Sequence, residues 1–321
     1  MPPEHPTAHH RPHIKRALRD PLATLVAQST IELQGPRGVG KRTLARQLGK
    51  GAVTTTHRRT APLTPGARRV RVHPLTVREL GLTTPNHLTT LLKRGGLPAQ
   101  VWADPAPDAL PDALKYLLKD STGQSRPVDE KTGAGLWASL MDSVGRPLSV
   151  RAIAGAAGVN ERRALAWTDT RHAQHAMFRL APLPSPTAGA TFRALKKGQK
   201  HYPYDWSQAR TRHAQLEALV ANHLLQWVES SADLANEDKR LVYFRDCDQR
   251  EVDFVILDNN RPTLLVQVDP VADTANRHLA YLARKFPKAQ AWQLSLDAPM
   301  APVQLKGVTV AHPLRFLMGL C

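Results

Sequence analysis

The sequence predicts an α/β protein built in three parts, and three observations carry that expectation. A glycine-rich run at 35–41 joins a short apolar strand to a helix. Two helix-capping residues stand either side of Gly158, and the last third reads in the order α-β-β-β-α-β. The 321 residues, 42% apolar and 22% charged, can bury two or three cores and exclude a disordered chain or a fibre.

In the first part Ile14, Leu18, Leu22 and Leu25 recur at helical spacing, and residues 30–33 read as a strand. The run that follows holds Gly35, Gly38, Gly40 and Lys41 and opens a second helix with Leu44 and Leu48 on one face. Backbone that curls ahead of a helix N-terminus turns its N–H groups toward an anion, and a lysine there adds charge, so the run is a candidate phosphate loop. The position after the lysine needs a hydroxyl to hold Mg²⁺, and here it is Arg42. Thr43 comes one residue later, about 100° further round the helix. Residues 51–70 read as loop, with a short strand at 70–72 and a helix entered at Pro74. Between Lys41 and His73 no apolar run ends in an acidic residue suited to the Mg²⁺ water shell, and Asp258, far down the chain, reads as a turn residue before Asn259 and Asn260. ATP bound without Mg²⁺ and without turnover is the expectation. The plain alternative is a strand-to-helix corner that binds nothing.

The middle part follows linkers at 104–111 and 121–127. Leu136, Trp137, Leu140, Met141 and Val144 form a helical face; Ser149 and Asn160 suit N-caps, and Gly158 suits the end of the helix between them, which is a helix-turn-helix pattern. Arg162 and Arg163 open its second helix, where a recognition helix meets DNA. After a break at 182–189, residues 192–204 read as a basic hairpin turning at Gly198, with Arg193, Lys196, Lys197 and Lys200 as a wing. The bland alternative is a helical connector with a solvated face. His172 and His175 stand three apart, but no further ligands complete a zinc set, so they read as surface residues.

In the last part residues 213–229 form an amphipathic helix, and strands are expected at 241–245, 251–257, 263–268 and 289–294, with a helix at 276–286 before the fourth. Period-two alternation sets Glu251 and Asp253 on one face and Val252, Phe254 and Ile256 on the other; Gln267 and Asp269 share a face of the next strand. With Glu217 on the preceding helix this is the layout of a restriction-endonuclease-like fold, whose carboxylates hold Mg²⁺ beside a lysine. An active site would carry Glu and Lys where Gln267 and Asp269 stand, and Lys285 or Lys288 is the substitute that sequence offers. A folded, inactive nuclease-like domain is the expectation.

Taken together, these stretches resemble a prokaryotic family, the AAA-type P-loop ATPases that carry a C-terminal nuclease-fold domain of unknown function. The resemblance rests on the run 35–41 with 43–48, on 72–80, on 95–98 and most of all on 133–292, including Leu216, Glu217, Asn222, His223, Tyr243, Phe244, Arg250, Glu251, Asp253 and Phe254. It implies a truncated P-loop NTPase unit at 1–80, a helical lid or linker at 81–132, a winged helix-turn-helix at 133–204 and the nuclease-fold domain at 205–321. It also implies an ATP-binding role, although the acidic and polar strands usual after the P-loop are missing. The net charge of +17, of which residues 1–80 contribute +11, makes nucleic acid a second partner class, bound non-specifically through phosphates. A basic winged-helix DNA-binding protein is thus the alternative function. Two cysteines, Cys247 and Cys321, and no apolar run of membrane-spanning length lead to the expectation of a cytoplasmic protein without a membrane partner. No protein partner is named by the sequence.

Overall fold

Residues 16–49, 53–101, 128–184 and 198–320 are described by the computed structural model. The start of the first predicted helix, both predicted linkers and the first arm of the basic hairpin, with Arg193, Lys196 and Lys197, lie outside the described residues. Within them the protein is mixed α/β.

α1 (Arg19–Val26) buries Leu22 against β1 (Thr30–Gln34), whose Ile31 and Leu33 are fully buried, and α2 (Lys41–Leu48) adds Leu44 to the same core. β1 is the centre of a three-stranded parallel sheet, flanked by β2 (Val53–Thr56) and β3 (Ala67–Arg71). Both flanking strands enter the stretch predicted as loop. The β-branched run of β2 favours extended backbone, and its ladder to β1 outweighs the Arg, Pro and Gly around it. The helix predicted from Pro74 is instead a single turn. Thr76 and Glu79 cap each other's backbone N–H groups at 3.0 and 3.1 Å, and Gly81 at φ 60° closes it. α3 (Pro85–Arg94), capped by Thr84, and α4 (Pro98–Val101) follow.

α5 (Glu130–Asp142), α6 (Val150–Ala156) and α7 (Glu161–Ala173) precede an antiparallel pair, β4 (Met177–Leu180) and β5 (Lys200–Pro203). Ser149 Oγ accepts from Ala152 N at 3.2 Å and Asn160 Oδ1 from Arg163 N at 2.8 Å, with Gly158 at φ 65° between the two helices. Both caps fall at the residues expected for them.

α8 (Arg212–Ala235) is 24 residues long, capped by Thr211 and ended by Asn236 at φ 58°. It lies on one face of a six-stranded sheet, and α9 (Arg277–Lys285) lies on the other. The strands are β6 (Lys239–Arg245), β7 (Glu251–Asp258), β8 (Arg261–Val268), β9 (Gln290–Leu294), β10 (Val303–Leu305) and β11 (Val308–Ala311), in the order β10-β11-β9-β8-β7-β6. The predicted order is present from α8 to β9, and β10, β11 and α10 (Pro313–Met318) extend it. Asp258 ends β7 beside Asn259 and Asn260, at φ 47° and 64°, which make the two-residue turn into β8. One continuous core includes Val77, Leu140, Trp167, Leu219 and Phe316, so α8 packs against each of the three parts. No described helix is long and apolar enough to cross a membrane.

Candidate functional site

Gly35 leaves β1 directly over the segment that continues β3. A side-chain carbon on Gly35 would overlap the Val72 carbonyl oxygen, so only glycine fits. Gly38 and Gly40 adopt φ 77° and 95°, which curls the backbone into the N-terminus of α2. Lys41 is half-buried and its Nζ donates to the Gly35 and Pro36 carbonyls at 2.7 Å each, lying across the loop it follows. Burial, then the neighbouring charges of Arg37 and Arg42, lower this ammonium to about 8. The Arg37 guanidinium reaches His57 Nε2 at 3.0 Å, and Arg42 and Thr43 are both exposed on α2. Three cationic side chains thus crowd one helix N-terminus, and their repulsion adds to burial in lowering Lys41. β2 and β3, the neighbours of β1, end in Thr56 and Arg71 and not in a carboxylate.

The loop rests on buried ion pairs that sequence pattern gave no sign of. Arg16, 6% exposed, donates to the Val39 carbonyl at 3.0 Å and the His73 carbonyl at 2.6 Å and pairs with Glu79 at 2.8 Å. Arg71 pairs with Asp233 and Glu229 of α8, and His73 Nε2 lies 2.9 Å from Glu229. Burial pushes the Glu229 carboxyl up, but His73 and then Arg71 and Arg59 more than reverse it and hold it at about 2.

The second predicted cluster has a different composition from the one expected. Glu217 of α8, Glu251 and Asp253 of β7 and Gln267 of β8 converge, and the cation among them is Lys200 of β5. Its Nζ lies 2.6 Å from Glu251, 3.2 Å from Asp253 and 3.7 Å from Glu217, and the residue is fully buried. Burial alone would lower its pKa; Asp253, Glu217 and Glu251 reverse the sign and raise it. Burial and the nearby Glu217 raise Asp253, against the pull of Lys200. Asp253 also accepts from Gln267 Nε2 at 2.7 Å and Val268 N at 3.0 Å, and Glu217 accepts from the Tyr202 hydroxyl at 2.7 Å.

Three expectations change here. Lys200 is no part of a basic wing, because a strand position beside buried Tyr202 turns it inward. Asp269 lies beyond the end of β8 and accepts from Asn276 Nδ2 and Val271 N, at 2.7 and 2.9 Å, so it does not share the Gln267 cluster's role. The strict alternation along β7 is broken by a bulge: Val242 faces Val255 and Phe244 faces Val252, which sets two residues, Asp253 and Phe254, opposite Tyr243. Val252 therefore packs with the α9-side core while Phe254 and Ile256 pack with the α8-side core. Lys285 sits near the Tyr281 ring on the α9 side. The signal that could have found Lys200 is its period-two relation to Tyr202 and Tyr204, both buried.

On α7 the exposed residues are Glu161, Arg162, Leu165, Ala166 and Asp169, while Arg163 is half-buried. His175 is not a surface residue. It is 3% exposed, has φ 55°, and its Nδ1 meets the His57 carbonyl at 3.2 Å; burial and Arg59 lower it to about 3. Among the described residues no cluster of three or more His, Cys, Asp or Glu is arranged to hold a metal ion. No family model, curated protein or solved structure matches the chain.

Proposed function

We propose that this protein binds a nucleoside di- or triphosphate at the loop holding Gly35, Gly38, Gly40 and Lys41, without Mg²⁺ and without hydrolysing it. The observation that carries the reading is the crowding of Arg37, Lys41 and Arg42 at the N-terminus of α2, with Lys41 depressed to about 8 by burial and by its two cationic neighbours. A phosphate group that replaced the two carbonyls on Lys41 would neutralise that excess and gain the helix-terminal N–H groups. The sequence resemblance to AAA-type P-loop ATPases supports the same ligand. The exposed Arg42 in the place of a metal-holding hydroxyl, and strand ends without a carboxylate beside the loop, support binding without turnover. In this reading the first part is a truncated P-loop unit and the last part a nuclease-like fold without activity.

Nucleic-acid binding through α7 has less support, since Glu161 and Asp169 share the exposed face with Arg162. Calorimetry with ADP and ATP, in Mg²⁺ and in EDTA, tests the proposal. The expected result is equal affinity in both and no release of phosphate. Unchanged affinity in Lys41→Ala, or Mg²⁺-dependent release of phosphate from ATP, overturns it.

A further inference from the structure

Oxygen-bearing side chains that approach one point from several elements form the donor set a divalent cation takes. Glu217 from α8, Glu251 and Asp253 from the bulged β7 and Gln267 from β8 bring such donors together, but they are not arranged around a metal ion: the point the three carboxylates share is held by an ammonium. We infer that Lys200 is the resident cation of this cluster, built into the chain where a metal ion would otherwise sit. The protein therefore takes no divalent cation there.

Lys200 is positioned by backbone, not by a chance side-chain reach. It pairs with Leu180 across β4 and β5, bridges to Pro147, and its Nζ lies 5.3 Å from the centre of the Tyr243 ring. Glu217 is closed in from the other side. A side-chain carbon on Gly145 would overlap its carboxylate, and the Tyr202 hydroxyl takes one of its oxygens at 2.7 Å. An uncompensated ammonium or carboxylate buried this deeply would be expensive, so the lysine and the carboxylates hold each other in place. The cluster is nevertheless reachable from solvent. A cavity of about 260 Å³ runs past Arg146, Arg210 and His213 to Glu217 and Asp253. Metal is kept out by the ammonium that fills the point of convergence, and not by a lack of access. The inference is independent of the nucleotide reading, because no residue is shared between the loop and the cluster.

The test is uptake of Mn²⁺ by the full chain, read from the paramagnetic resonance signal of the free ion. Wild type should leave that signal as it is in buffer, and its melting temperature should be the same in EDTA and in Mn²⁺. Lys200→Ala should take up one Mn²⁺ per chain, at least about tenfold more tightly than wild type, and should lose it again with Asp253→Asn added. Should Lys200→Ala fail to fold, Lys200→Met combined with Glu251→Gln removes one charge of each sign and is read in the same way. Mn²⁺ uptake by wild type that Asp253→Asn abolishes overturns the inference, and so does a folded Lys200 variant that takes up none.

Discussion

Raising the pH from 7 to 9 should weaken ADP binding at the glycine-rich loop about tenfold. Lys41, lowered by burial and by Arg37 and Arg42, changes charge at about 8. If the ammonium form alone holds phosphate, apparent affinity follows the protonated fraction, about ten parts in eleven at pH 7 and about one in eleven at pH 9. The terminal phosphate of ADP has done most of its last ionisation, at about pH 6–7, before this window opens, and what remains would strengthen binding and not weaken it. The tenfold change corresponds to about 1.4 kcal/mol. Because a bound anion favours the charged lysine, binding should take up protons, increasingly so above pH 8. Calorimetry in two buffers of different ionisation enthalpy reads that uptake directly. Lys41→Arg stays charged throughout and should flatten the profile, whereas Lys41→Ala should bind weakly at every pH. Wild-type affinity that is flat or rising from pH 7 to 9, or an equal decline in Lys41→Arg, would refute the reasoning.

Glu229 is held at about 2, against an ordinary 4.5, so it contributes stability that is present above pH 4.5 and is lost as the pH falls toward 2. At about 1.4 kcal/mol per unit, Glu229→Gln should cost about 3 kcal/mol in urea melts at pH 7, and the gap to wild type should close below pH 4.5; a gap unchanged down to pH 2.5 contradicts this. Gly145→Ala places a methyl against the Glu217 carboxylate at φ 80° and should cost about 1–3 kcal/mol, so an unaltered melting temperature would mean that the turn moves freely. Any binding of duplex DNA should weaken steeply with salt. Arg162→Ala should remove about one unit of log–log salt slope and half-buried Arg163→Ala almost none, so equal losses would place both on phosphates.

The parts that sequence showed well are those set by local chemistry. Ser149 and Asn160 were visible as caps because a helix N-cap is fixed within three residues, and the order of elements from α8 to β9 follows apolar periodicity. What sequence hid depends on distant partners. β2 is a short threonine run whose preference for extended backbone is outweighed by its Arg, Pro and Gly neighbours until its ladder to β1 is counted. The β7 bulge adds one residue opposite Tyr243, which no alternation pattern foresees, and it moves Phe254 to the other core. The carboxylates of the cluster were legible as a group, since Glu251 and Asp253 are two apart. Their cation was not, because Lys200 arrives from a strand 53 positions before Asp253. Asp269 was misplaced by a single residue of strand length: β8 ends at Val268, and the chain turns before the aspartate can share a face with Gln267.

Arg71 meets Asp233 across 162 positions of the chain. Synthesis proceeds from the N-terminus at roughly 5–20 residues per second, so the three parallel strands leave the ribosome roughly 10–30 s before the helix that neutralises Arg71. For that interval the growing polypeptide presents a basic, half-finished sheet, and the contact that completes it is among the slowest to close. Any product that stops short of α8, through early termination or proteolysis, keeps Arg71 and loses both of its acidic partners. The charge at the Arg71 end of the parallel sheet is thus neutralised only by a segment made long after it.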